Sequence, residues 1–291
     1  MINDNEIKAL ISLLDDEDQE ITEHVEQKIR ELGGQLIPYL ESEWEDSFSP
    51  VHQKKIEELI HDLQYQSVLD RIRLWKETGG IDLLEGLWIV ATYQYPDLSL
   101  DKIRLEIKQL YLDVWLEGKS EMHPIDQIKT LNTVFFNKLK FAANTKHFHS
   151  PSNSMINVVL ESRRGNPISL CVIYMMIAQQ LDLPVYGVNL PSLFVLTYKK
   201  DHTQFYINVF NRGLVFSKSD IDHYIGQLNL KPADTYYQPC TNLDIIRRVL
   251  RNLMLAFEKI GDTGRVKEVE QLLDAVYDED ATPPLSDYTN K

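Results

Sequence analysis

Residues 161–198 read ESRRGNPISLCVIYMMIAQQLDLPVYGVNLPSLFVLTY, and the rest of the architecture can be worked out from them. A basic turn of Arg163, Arg164, Gly165 and Asn166 opens the run. Pro167 then takes the first helical position, where a missing N–H costs nothing. From Ile168 to Leu181 almost every residue is apolar, with no polar face until Gln179 and Gln180. A surface helix would show a polar stripe at the 3.6-residue period, so this pattern predicts a central helix packed on all sides. After Leu181-Asp182-Leu183-Pro184 come two short β-branched and aromatic runs, VYGVNL and LFVLTY, divided by Pro191. A buried helix leading directly into two adjacent strands predicts an α+β core.

Upstream, residues 1–120 read as helical throughout. Apolar positions recur at Ile21, Val25, Ile29 and Leu32, then at Leu36, Ile37 and Leu40, with Gly33-Gly34 as a stop between the two sets. The helices resemble short antiparallel pairs of HEAT-like type. Trp75, Trp88 and Trp115 are expected to fill the space between them. A seam is expected near 117–124, where EGKSEMHP collects breakers and polar residues. The core then spans 121–235, with a hairpin turn at Lys199–Gln204 and further strand and helix signals in GLVFS and SDIDHYIGQL. Residues 236–278 form an amphipathic helical hairpin broken at Gly261-Asp262, tetratricopeptide-like in texture. Residues 279–291 are polar and proline-bearing, as expected of a loose tail.

The chain has 291 residues, 25% of them charged and 43% hydrophobic, and a formal net charge of −14. Acidic clusters at Asp15–Glu20, Glu41–Asp46 and Asp278–Asp280 argue against nucleic acid as a partner, because phosphate-backbone binding needs a basic surface. No run of about 18 apolar residues predicts a membrane span, and no leader sequence is apparent. Two cysteines, Cys171 and Cys240, read as reduced, mostly buried thiols of a cytoplasmic protein.

The run RRGNPISL, the helix ending in LDLP, and GVNLPSLFVLTY together resemble the SirB family of transglutaminase-like proteins. Its segment reads approximately R-x-G-x-P-I-S-L, then L-G-L-x-V-x-G-V-x-x-P-G-H-F. SPSNSMINVVL (150–160) resembles the family's P-x-N-S lead-in, and FYINVFNRG (205–213) its F-I-D-P-F-x-G-G strand. The resemblance covers roughly residues 125–277 and implies a transglutaminase-like, papain-like core with a small antiparallel sheet. Enzymes of this kind use a Cys at the start of the buried helix, a His on the next strand and an Asp or Asn on the strand after. The His activates the thiol, and the third residue orients the His. By the resemblance the nucleophile position is Ser169, the His position is Leu193 and the Asp position is Asn208. Leucine accepts no proton, so the implied site is degenerate.

Cys171 lies outside this set. Two helical positions rotate a side chain by about 200°, onto the face opposite Ser169. Ser169 itself, near a helix start, reads as a hydrogen-bonded hydroxyl. His147 and His149 form an H-x-H pair without a third ligand at zinc spacing, and the other histidines read as surface residues. No metal and no cofactor are expected, and no nucleotide-binding glycine motif occurs. Arg163, Arg164, Gly165 and Asn166 form an anion-friendly corner and the candidate binding site, although the simpler reading has Gly165 supply the turn and the arginines pair with acidic neighbours such as Glu161. The expected protein is therefore a predominantly helical α+β chain that binds a protein partner rather than turning over a substrate. The alternative is a cysteine or serine hydrolase or peptidase of the transglutaminase-like class with a relocated base.

Overall fold

A computed structural model describes residues 4–16, 18–118 and 122–277. The chain divides into two compact units, 1–71 and 72–291.

The first unit contains α1 (Asp4–Ser12), α2 (Gln19–Leu32) and α3 (Ile37–Asp46). It also holds the N-terminal part of α4 (Pro50–Glu77). Ile7, Ile11, Val25, Ile29, Leu40, Ile56, Leu59 and Leu63 meet in its core. Their three- and four-residue spacing supplies each helix with one apolar stripe. Asp18 caps α2 by accepting the Glu20 N–H at 2.9 Å. His52, expected at the surface, is only 4% exposed. Its ring nitrogens lie 3.7 Å from Asp15 Oδ1 and 3.6 Å from Glu43 Oε1. Neither ring nitrogen has a hydrogen-bond partner among the described residues, the two carboxylates standing just beyond reach, and both carboxylates lie too far away in sequence for local pattern to reveal.

The second unit continues with α5 (Leu83–Thr92), α6 (Leu100–Trp115) and α7 (Pro124–Asn132). Then come the two-residue strand β1 (Ala142–Ala143), α8 (Ile156–Ser162) and β2 (Arg164–Gly165). α9 (Pro167–Gln180) leads into β3 (Val185–Leu190), β4 (Leu193–Lys200), β5 (Thr203–Asn208) and β6 (Leu214–Phe216). α10 (Lys218–Gln227), α11 (Asn242–Ile260) and α12 (Thr263–Ala275) follow. The boundary between units falls inside α4, whereas 117–124 leads from α6 to α7 within the second unit. Acidic residues 278–280 and the tail 279–291 lie outside the described residues.

α9 is the packed centre that its composition requires: every residue from Ile168 to Ala178 is buried. It packs against α6, β3, β4 and α11. Pro167 occupies the first turn as its position in sequence predicts, and Asn166 adds a cap, its Oδ1 accepting the Ser169 N–H at 2.9 Å. The sheet is antiparallel in the order β3-β4-β5-β6. Leu190 pairs with Leu193 across a two-residue turn in which Ser192 takes φ +55°. α11 begins with a capping box of Thr241 and Asp244 and ends at Gly261, φ +78°.

Trp75 is buried, with Nε1 donating to Asp82 O at 2.8 Å, and Trp88 is half-buried, bonded to Leu98 O at 2.6 Å. Trp115 departs from expectation at 57% exposed. The buried face of α6 is Ile103, Ile107, Leu110 and Val114. Position 115 is turned about 100° from Val114, off that stripe.

Candidate functional site

The candidates at Arg163–Asn166, Ser169, Cys171, Leu193 and Asn208 lie on α9, on the turn before it, or on the strands that follow it. Ser169 is buried in the first turn of α9, and its Oγ donates to Asn166 O at 3.2 Å. Gly165 closes over it. A Cβ added there would fall far inside contact distance of Ser169 Oγ and 3.0 Å from Val159 Cγ1. The hydroxyl is thus packed against backbone, which explains why position 165 carries no side chain.

Strand parity separates the other two positions from this point. Leu193 packs with Val188, Leu190, Val195 and Tyr206, and with Ile221 and Ile225 of α10. Asn208 has the parity of Tyr206, two residues before it on β5, and Tyr206 pairs with Thr197 of β4. Leu193 and Asn208 therefore belong to the α10 face of the sheet, while α9 packs against the opposite face of β3 and β4. Asn208 Oδ1 accepts the Asn211 N–H at 3.0 Å and shapes the turn before β6. The structure does not join Ser169, Leu193 and Asn208 by any hydrogen bond.

Cys171 lies deeper. It is fully buried, with Sγ 3.6 Å from Phe194 O. Burial pushes its thiol pKa up, only partly opposed by the Val209 backbone. Cys240 is pushed up to about 12, again mainly by burial. Neither environment favours a thiolate, the reactive form.

The basic corner is structurally engaged. Arg163, at φ +57°, reaches Glu106 Oε1 at 3.1 Å and lies 5.0 Å over the Phe141 ring. Glu106 is the partner rather than Glu161, because Glu106 comes from α6, which packs against α9. Arg164 is exposed, and its backbone belongs to the short parallel pair Ala142↔Arg164. Asn166 serves as the helix cap. The histidines nearest in sequence, His147 and His149, are exposed on the loop before α8. Among the described residues, no group of three or more His, Cys, Asp or Glu could hold a metal.

Sequence reading missed two polar groups that hold this region. Asn153, 2% exposed, donates to His147 O at 2.7 Å and Phe148 O at 3.0 Å. Its Oδ1 accepts from Asn144 Nδ2 at 2.8 Å, so one side chain braces the whole 144–150 loop. Tyr174 OH donates to Asn132 Oδ1 at 2.9 Å, and Asn132 Nδ2 donates to Gly213 O at 2.9 Å. That chain ties α9 to the turn before β6. The one available signal was an Asn inside an otherwise apolar or turn context, which does not name its distant partner.

The chain is 28% identical over 193 residues to a UPF0162 protein of Xylella fastidiosa (strain 9a5c), covering 62% of this chain and 68% of that protein. Human F-box only protein 21 is 26% identical over 247 residues, covering 74% of this chain but only 38% of that protein. The UPF0162 protein YchA of Escherichia coli (strain K12) is 25% identical over 183 residues, covering 61% of this chain and 67% of that protein. No solved structure matches. Residues 101–251 match the model of the transglutaminase-like superfamily. That span runs from α6 through α9 and the sheet into α11. With more than half of its length inside that match and a buried helix feeding an antiparallel sheet, the chain belongs to the transglutaminase-like superfamily.

Proposed function

We propose that the protein is a catalytically inactive member of this superfamily, of SirB type, retained as a cytoplasmic protein-binding or scaffolding module. The observation that carries this reading is Leu193. It stands where the resemblance calls for a His, supplies no proton acceptor, and is packed among apolar side chains on the α10 face. A nucleophile needs its base within hydrogen-bond reach, and removing one member of such a unit costs several orders of magnitude in rate. Ser169 Oγ bonded to a carbonyl and a desolvated Cys171 thiol support the same reading. HEAT-like helices before residue 120 and a tetratricopeptide-like α11–α12 hairpin would supply surfaces for a partner. The partial likeness to F-box only protein 21 favours an interaction role.

The test is a screen of the full chain against peptide, ester and amide substrates, beside Ser169→Ala and Cys171→Ala. The expected result is no turnover that either substitution removes. Turnover abolished by Ser169→Ala or Cys171→Ala would establish the hydrolase alternative and overturn the proposal.

A further inference from the structure

Among the described residues, the guanidinium of Arg248 has no counter-charge. Arg163 and Arg247, whose side chains are 30% and 16% exposed, each reach a carboxylate: Glu106 at 3.1 Å and Asp244 at 3.3 Å. Arg248 is likewise half-buried, yet no carboxylate of the described residues lies within ion-pair distance of it. Its hydrogen bond is to a neutral acceptor, Asn189 Oδ1 of β3, at 3.3 Å. Arg251, one helical turn on, meets a phenol, Tyr277 OH, and again no described carboxylate. Tyr224 of α10 lies within electrostatic reach of Arg248, with its OH donating to Pro191 O at 2.8 Å. Withdrawing a charge from water without pairing it is costly. In a chain with 44 acidic residues against 30 basic ones, two such arginines left together call for a partner.

We propose that Arg248 and Arg251, framed by Asn189 and Tyr224 where α11, α10 and β3 meet, form a docking site for a carboxylate side chain on an acidic peptide segment of a partner protein. A guanidinium carries five N–H donors, and Asn189 takes only one of those on Arg248, which leaves a fork matching a carboxylate in bidentate geometry. Burial and the neighbouring Arg251 both bear against the charge on Arg248, and an arriving anion would relieve them. The net charge of −14 repels a polyanion at long range, so an isolated carboxylate at short range fits better than a nucleic-acid backbone. The site is independent of whether Ser169 or Cys171 is chemically competent.

The probes are a fluorescein-labelled Ala-rich peptide carrying a single Glu and its Gln-for-Glu counterpart, followed by anisotropy with the full chain. The Glu peptide binds the wild type at least about tenfold more tightly than the Gln peptide, the scale of one charge-assisted hydrogen bond. Arg248→Met removes that preference without lowering Tm, because Met of similar volume replaces an unpaired charge. Arg248→Lys keeps the charge but loses the fork, and retains only part of the preference. Arg248→Met that lowers Tm by several degrees and leaves peptide affinity unchanged would show a purely structural arginine and overturn the proposal. The run Asp278-Glu279-Asp280 follows Tyr277 directly in sequence and is the competing occupant. Glu-peptide binding that emerges only in the Asp278→Asn/Glu279→Gln/Asp280→Asn variant would assign the arginines to the chain's own acids, again overturning the proposal. Unchanged binding in that variant supports it.

Discussion

Gly165→Ala tests the arrangement around α9 most directly. The new methyl would press on Ser169 Oγ and stand 3.0 Å from Val159 Cγ1 and 3.3 Å from Leu170 Cδ2. Ser169 can swing its hydroxyl away, but only by giving up the bond to Asn166 O, worth about 1 kcal/mol. Val159 sits on α8 with a β-branched side chain held to one helical rotamer, so it cannot yield cheaply. Overpacking of this kind costs about 1–3 kcal/mol. The total is about 3 kcal/mol, or a fall of about 6–12 °C in Tm for a unit of this size. Thermal unfolding can be followed by fluorescence of Trp75 and Trp88, both within the second unit. Ser169→Ala alone should cost no more than about 1–2 kcal/mol. In the double variant the closest clash is gone, so its cost should fall short of the sum by about 1 kcal/mol. Strict additivity, or a Gly165→Ala change below about 0.5 kcal/mol, would refute the packed hydroxyl and leave Ser169 free for chemistry.

Asn153→Ala should destabilise by about 2–4 kcal/mol, since one buried amide makes several bonds, and should open the 144–150 loop to trypsin at exposed Lys146. Unchanged cleavage at Lys146 would contradict the bracing role. Native Cys171 should alkylate far more slowly than half-buried Cys240, and the reverse order would revive a reactive thiol. Folding raises the Cys240 pKa from 9.0 to about 12, so its contribution is complete below pH about 9 and is lost as pH climbs through 9–12. The stability curve of Cys240→Ser should be flatter across that window by up to about 1.4 kcal/mol per pH unit, and parallel curves would exclude the effect. Removing residues 1–120 should give an aggregating fragment, because α5 and α6 pack on α8, α9 and α11. A monomeric, cooperatively melting 121–291 would show that those helices are dispensable.

Local features determined much of this molecule. An apolar run without a polar face could only be an enclosed helix, and Pro167 marked its start. Pro191 separated the first two strands, and the break expected at Lys199–Gln204 narrows to Asp201-His202, because β4 and β5 stay paired to Lys200 and Thr203. The residue type at 193 alone removed a proton acceptor from the implied site. Partnerships between distant segments were decided only by the tertiary structure. Pairing Leu190 with Leu193 put the latter on the α10 face, and a one-residue shift would have turned it toward α9. Neighbours from other elements turned His52 inward and drew Arg163 to Glu106, whereas Trp115 lay off the buried stripe of α6. They also left Arg248 beside Asn189 with no carboxylate of the described residues in reach. Periodicity reports which face of an element is buried, because that depends on neighbours three or four positions away. It carries no information about which side chain, a hundred residues distant, will meet that face, and hydrogen bonds and unpaired charges are settled there.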